Sequence, residues 1–183
     1  MSAQKQGMLV LEDGSVFVGQ SMGAEGEWVG EVVFNTAMTG YQEIITDPSY
    51  WGQMIVFTYP HIGNVGVNFE DVESRQPYAR AVIARKICEQ PSNWRAEQSL
   101  PEYLSEAGVP ALSGVDARRL TLTLREEGVM RPVHGEPELR ASLGDGPECA
   151  GYERASAHWR GLAIGTGSVD ARDSQKMDQT REL

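Results

Sequence analysis

Residues 31–43, EVVFNTAMTGYQE, couple a short apolar run to a dense polar loop. β-branched and aromatic residues dominate the run, so we predict a strand over 28–35 that ends at Asn35. The loop that follows brings Asn, two Thr, Tyr, Gln and Glu together, and such side chains hydrogen-bond readily to nearby backbone. The residues alone leave two interpretations equally open, a rigid structural loop and a binding surface.

Further strand patterns lie on both sides of this stretch. Residues 9–11 and 16–18 flank Asp13-Gly14, a dipeptide suited to a tight hairpin turn. Apolar runs predict further strands over the four segments 54–59, 79–87, 109–112 and 129–133.

Two helices are predicted among the later strands. Ser99 precedes Glu102 by three positions, the spacing of a capping box, which predicts a helix over 101–107. Asp116 is the predicted cap of a second helix that ends at Glu127. Strands dominate early and alternate with helices later, a pattern typical of a mixed α/β layer structure rather than an all-β barrel.

The composition changes beyond about residue 134. We therefore divide the chain into a domain over 7–134 and an irregular appendage or linker over 135–183, with a short helix near 138–143 and a polar helix near 171–183. Residues 161–168, GLAIGTGS, contain three glycines but lack the lysine of a phosphate-binding loop. A flexible linker is the favoured interpretation there.

Composition excludes several classes of function. The chain has 16 Lys+Arg against 26 Asp+Glu, a formal net charge of −10, which argues against a nucleic-acid partner. No apolar run is long enough to cross a bilayer, so we expect no membrane association. Cys88 and Cys149 form neither a CxxC pair nor a disulfide framework, which fits a reducing cytoplasm.

The reactive residues of the sequence are isolated from one another and predict no catalytic group, metal site or cofactor site. His61 lies in a turn without a second ligand, so a hydrogen-bonded turn histidine is favoured over a metal ligand. Cys88 is interpreted as a core thiol at the end of a strand. Adjacent acids such as Glu70/Asp71 and Glu126/Glu127 are expected to diverge into solvent rather than to form an acid–base pair.

Several ordered motifs resemble the amino-terminal domain of the small, glutamine-hydrolysing subunit of carbamoyl-phosphate synthetase. The resemblance covers roughly residues 8–130 and is carried by LEDG (11–14), GEVVFNT (30–36), MTGYQE (38–43), TDPSY (46–50), TYPHIGN (58–64), SNWR (92–95), Asp116-x-Arg118-x-Leu120-Thr121 and Leu124-Arg125-Glu126. Long ordered motifs of this kind are far more specific than a lone glycine pattern.

The resemblance implies a fold and a set of site residues. The fold is a compact mixed β/β/α domain of the swivelling type, followed by the irregular tail. Ser49 matches the family position that contacts glutamine. The alternative is a purely structural role, in which Ser49 only closes its turn. The remaining predicted residues form structural or subunit-interface loops: Asn35, Thr36, Met38, Thr39, Gly40, Tyr41, Gln42, Glu43, Pro60, Gly63 and Asn64.

The resemblance also implies partners and a reaction. In the family, a second amidotransferase domain hydrolyses glutamine with a Cys-His-Glu triad. The large subunit then uses the ammonia, bicarbonate and ATP to make carbamoyl phosphate for pyrimidine and arginine biosynthesis. We expect this chain to dock on the large subunit, and a separate amidotransferase domain is a second candidate partner.

Neither cysteine of the chain lies in a nucleophile elbow, and we expect the tail to lead towards an amidotransferase domain that is absent here. The chain alone is therefore predicted to be inactive as a glutaminase. The main alternative is a stand-alone, non-catalytic binding module derived from the subunit. An independent hydrolase centred on the loop over 35–43 ranks below both, because no nucleophile and base can be named for it.

Overall fold

A seven-stranded mixed sheet forms the centre of the computed structural model, which describes residues 5–11, 13–127 and 163–166. The strands are β1 (Gln6–Val10), β2 (Val16–Gly23), β3 (Glu31–Asn35), β4 (Gln53–Phe57), β5 (Ala81–Ala84), β6 (Pro110–Ser113) and β7 (Ala163–Thr166), in the spatial order β3-β4-β5-β6-β2-β1-β7. The helices are α1 (Tyr41–Thr46), α2 (Leu100–Glu106) and α3 (Ala117–Glu127), with a 3-10 turn over Pro48–Tyr50.

The sheet has a parallel half and an antiparallel half. Strands β3 to β6 run parallel, with Val32 beside Met54 and Val82 beside Ala111. Strands β1 and β2 form the predicted hairpin, in which Gly14 adopts a φ of 83° that an L side chain rarely tolerates. The hairpin is confirmed, and it places β2 antiparallel to β6.

Alternate residues of the strands supply two apolar cores, one on each face of the sheet, because successive side chains in a strand point to opposite faces. Helix α3 packs on the first core through Leu120, which is fully buried, and helix α2 packs on the second through Leu104, also fully buried. The first core includes Leu9, Phe17, Met54, Val56, Ile83, Leu112 and Leu124, and the second includes Ile45, Ile55, Phe57, Val82, Ile87 and Leu100.

Both predicted helix starts are confirmed. The Ser99 hydroxyl accepts a hydrogen bond from the Glu102 backbone N–H while the Glu102 carboxylate accepts from the Ser99 backbone N–H, a complete capping box. At α3, the Asp116 carboxylate accepts from the Arg119 backbone N–H at 3.0 Å. These side chains satisfy backbone donors that the first turn of a helix leaves without partners.

The predicted mixed α/β class is confirmed, with differences in the extent of its elements. The strand predicted over 79–87 spans only Ala81–Ala84. Arg85 and Lys86 after it are exposed, and Ile87 then pairs with Ile62 in an isolated bridge. The polar loop predicted after β3 contains helix α1. The strand predicted over 129–133 and the helices predicted near 138–143 and 171–183 lie outside the described residues.

Strand β7 corrects the linker interpretation of residues 161–168. Residues 163–166 pair antiparallel with β1, Leu9 beside Ile164, and thereby extend the sheet by one strand. The four residues show no strand-like alternation of apolar and polar side chains, because Gly165 interrupts the short run. Among the described helices, none has the length and apolar character needed to cross a membrane.

Candidate functional site

The loop after β3 is held at one end and exposed in its middle. The Asn35 side chain accepts a hydrogen bond from the Ala37 backbone N–H at 2.7 Å and donates one to the Tyr50 hydroxyl at 2.9 Å. Thr36, Met38 and Thr39 are exposed, and Met38 exposes 73% of its surface. Asn35 therefore fixes the base of a short exposed surface and ties it to the turn that contains Ser49.

The second half of the loop is structural. Gly40, with a φ of 77°, turns the chain into α1, and the first two helical residues, Tyr41 and Gln42, are buried. Glu43 remains exposed on the helix. The sequence did not predict this helix because six residues are too few for a helical period to stand out against the surrounding turns.

Helix α1 clamps the segment over 66–73 by its polar side chains. The Gln42 amide donates to the Asn68 carbonyl oxygen at 2.5 Å and accepts from the Asn68 backbone N–H at 3.1 Å. The Tyr41 hydroxyl donates to the Gly66 carbonyl oxygen, and burial raises the pKa of Tyr41 to about 12. The Thr46 hydroxyl accepts from the Glu73 backbone N–H at 2.9 Å. The predicted polar loop residues thus divide into a buried clamp and an exposed tip.

Glu70 and Asp71 do not diverge as predicted. Both carboxylates accept hydrogen bonds from the Arg95 guanidinium, at 2.8 Å from Glu70 and 3.0 Å from Asp71. The Asn68 amide donates to Asp71 as well, and this bond, together with the Arg95 charge, lowers the pKa of the Asp71 carboxyl. The side chains converge because a cation that is distant in sequence lies between them.

The loop after β4 adjoins the same end of the sheet. The Thr58 backbone N–H donates to the Asn35 carbonyl oxygen at 3.1 Å, so β4 leaves the sheet beside the β3 loop. Pro60 and Asn64 are exposed, whereas Gly63 is buried with a φ of 85°. A Cβ atom at Gly63 would lie 3.2 Å from the Cys88 carbonyl oxygen, so this glycine permits a close approach of two backbones.

Two reactive side chains differ from their predicted environments. Cys88 is half-buried rather than in the core, and its thiol donates to the Gln90 carbonyl oxygen at 3.1 Å. His61 lies in the predicted turn, but its buried Nε2 has no hydrogen-bond partner within the described part of the chain. No cluster of three or more metal-ligating side chains occurs within residues 5–11 and 13–127.

Ser49 lies in an exposed turn after α1. The Asp47 carboxylate accepts a hydrogen bond from the Ser49 backbone N–H at 2.8 Å, which lowers the pKa of Asp47 and fixes the turn. Trp51 follows, 72% exposed, and lines a cleft of about 540 Å³. The other side chains of the cleft include Trp28, Tyr78 and Arg80, which lie just before the amino ends of β3 and β5.

The described domain matches a known protein family. The family model for the carbamoyl-phosphate synthase small chain, CPSase domain, matches residues 9–133, which include every described element except β7 and the beginning of β1. The chain belongs to the carbamoyl-phosphate synthase small chain family. The resemblance predicted from the ordered motifs is therefore confirmed.

Relatives named "Carbamoyl phosphate synthase small chain" support the same assignment. The chain is 52% identical over 149 residues to that of Nostoc sp., covering 79% of this chain and 38% of the relative. It is 58% identical over 123 residues to that of Thermosynechococcus vestitus, covering 67% of this chain and 32% of the relative. It is 53% identical over 126 residues to that of Listeria innocua, covering 69% of this chain and 35% of the relative. The chain thus spans about a third of the length of these relatives.

The residues of the small-chain motifs divide into buried residues that hold the backbone and exposed residues, a division that the sequence does not show. Tyr41, Gln42 and Gly63 are buried and hold the backbone, whereas Thr36, Met38, Thr39, Pro60 and Asn64 are exposed. The sequence did not assign roles to Asn68 and Arg95, which organise the clamp. Arg95 belongs to the SNWR motif, so the motif carried a signal, but its acidic partners lie 24 and 25 residues away.

Proposed function

We propose that this chain is the amino-terminal part of the small subunit of glutamine-dependent carbamoyl-phosphate synthetase. The observation that carries the proposal is the small-chain family match across residues 9–133. The subunit serves a cytoplasmic complex that converts glutamine, bicarbonate and ATP to carbamoyl phosphate for pyrimidine and arginine biosynthesis. In this assignment the chain is a docking and site-forming part and supplies no catalytic group.

Docking on the large subunit is supported by the geometry of the two loops at the carboxyl ends of β3 and β4. The loop with the exposed Met38 is held at its base by the hydrogen bonds of the Asn35 side chain, and the loop with the exposed Pro60 is tied to it by the bond from the Thr58 backbone N–H to the Asn35 carbonyl oxygen. A surface held rigid before binding loses less conformational freedom on association. These loops are therefore suited to protein recognition.

A glutamine contact at Ser49 is supported by its exposure. The Asp47 carboxylate interacts with both the backbone N–H and the hydroxyl of Ser49. Because the backbone bond fixes the turn, the exposed hydroxyl can exchange Asp47 for a ligand without the turn refolding. We propose that this hydroxyl contacts glutamine held by an amidotransferase domain. Ser49 would then position the substrate without taking part in bond breaking.

The docking proposal is tested by isothermal titration calorimetry of the 183-residue chain with the carbamoyl-phosphate synthetase large subunit from the same source. We expect saturable binding with one chain per large subunit. A folded chain that produces no binding heat and does not co-elute with a folded large subunit would refute the proposal.

The catalytic part of the proposal is tested by glutamine hydrolysis. We expect the purified 183-residue chain to release no ammonia above a buffer control, because neither of its cysteines lies in a nucleophile elbow. Hydrolysis that persists in the Cys88→Ser variant would show another nucleophile, and hydrolysis lost in that variant would make Cys88 catalytic. Either result would contradict the assignment.

A further inference from the structure

Two aromatic side chains are almost fully exposed, Phe69 within the clamped segment over 66–73 and Trp94 in the neighbouring segment. Phe69 is 85% exposed and Trp94 is 92% exposed, more than the other exposed large apolar residues of the described chain. Exposed aromatic side chains on a rigid surface are characteristic of protein-binding sites, where Trp ranks among the residues that contribute most binding energy.

The backbone beneath both rings is held in place. Phe69 follows Asn68, whose backbone is bound on both sides by the Gln42 amide. Trp94 lies between Asn93, whose side chain accepts from the Arg95 backbone N–H at 2.8 Å, and Arg95 itself. Arg95 then joins the two segments through Glu70 and Asp71. Val67 and Gln98 also form an antiparallel bridge. Both aromatics therefore belong to one cross-linked unit, made of residues 66–73 and 92–98.

This unit is continuous with the proposed docking loops and is acidic at its rim. The Ser92 backbone N–H donates to the Asn64 carbonyl oxygen at 3.1 Å, which connects the Trp94 segment directly to the loop after β4. Glu70 keeps 81% of its side chain exposed despite the Arg95 contact. Glu73 and Glu97 are also exposed, whereas Arg95 is the cation already paired within the unit. The surface therefore complements a basic partner surface.

We propose that Phe69 and Trp94 are the apolar anchors by which this chain docks on the large subunit, inserting into apolar pockets rimmed by Lys or Arg. This inference rests on the proposed function and adds the residues and the partner chemistry to it. Buried aromatic anchors surrounded by a polar rim are the usual energetic centre of such interfaces.

The test compares large-subunit affinity among the wild type, Phe69→Ala, Trp94→Ala, the double variant and Leu122→Ala. Leu122 is the control, a 42% exposed apolar residue on α3, which packs on the opposite face of the sheet from the core that contains Val67. Phe69→Ala and Trp94→Ala should each weaken binding about tenfold or more, and the double variant further, with Leu122→Ala within about twofold of wild type. Urea unfolding should give wild-type stability for the Phe69 and Trp94 variants, because their side chains support nothing in the fold.

Salt dependence provides a second readout. Wild-type affinity should fall as NaCl rises, because the exposed acids of the rim face cations of the partner. If the folded double variant binds the large subunit within about twofold of wild type, this inference is wrong, whereas the docking proposal stands. Absence of wild-type binding would overturn the docking proposal as well.

Discussion

At the scale of single residues, the Gln42 side chain pairs with the backbone of Asn68 as a neighbouring β-strand would. Its amide donates to and accepts from the backbone of Asn68, while the side chain itself is 3% exposed. A buried backbone group that loses its partner costs about 1–3 kcal/mol, so these two bonds are a main contribution to holding the segment over 66–73, beside those of Tyr41, Thr46 and Arg95.

We expect Gln42→Ala to lower the free energy of unfolding by about 2–4 kcal/mol, since Asn68 would lose both backbone partners. Urea unfolding followed by circular dichroism measures the change. Gln76→Ala, at an exposed glutamine, is the control and should stay within about 0.5 kcal/mol of wild type. Equal stability of the two variants would show that the clamp contributes nothing.

At the scale of elements, the start of α2 couples helix formation to the ionisation of one carboxyl. The hydrogen bonds from the Ser99 hydroxyl and the Ser99 backbone N–H lower the pKa of Glu102. A lowered carboxyl pKa in the folded state stabilises the fold above the ordinary pKa of the group. That stabilisation is lost as the pH falls through the lowered value.

Ser99→Ala should therefore destabilise the domain by about 1 kcal/mol at neutral pH through the lost cap, and the difference from wild type should shrink as the pH falls through the lowered pKa of Glu102. Urea unfolding at several pH values between 3 and 7 measures it. Ser105→Ala, at an exposed serine of the same helix, removes no cap and should be neutral or slightly stabilising. A Ser99→Ala loss that is constant across this pH range would contradict the coupling.

At the scale of the whole molecule, one sheet joins two cores that share no side chains. Leu120 on one face and Leu104 on the other are both fully buried and belong to different helices. The β strands between them contribute alternate residues to each core, so neither core can form without the sheet.

Leu104→Ala and Leu120→Ala should each lower the free energy of unfolding by about 2–5 kcal/mol. Because the two sites lie on opposite faces, the losses should add within about 0.5 kcal/mol in the double variant. Each variant should show a single urea transition by both circular dichroism and tryptophan fluorescence. Two separated transitions would mean that the cores unfold independently.

Much of the fold was predictable because it rests on local rules. The hairpin at Asp13-Gly14 and the helix starts at Ser99 and Asp116 follow from side chains that satisfy backbone groups a few residues away. The candidate site was predictable only as a region. The loop over 35–43 was identified, but the same motif contains both buried clamp residues and exposed tip residues, and sequence spacing does not separate them.

The sequence by itself determined the mixed α/β class, the family and the position of the polar loops after β3 and β4, since each rests on local patterns or on long ordered motifs. Only the tertiary structure decided that Gln42 binds the backbone of Asn68, that Arg95 joins Glu70 and Asp71, and that residues 163–166 extend the sheet. These contacts connect segments distant along the chain. Their formation depends on burial and on the geometry of packed elements, which no local pattern encodes.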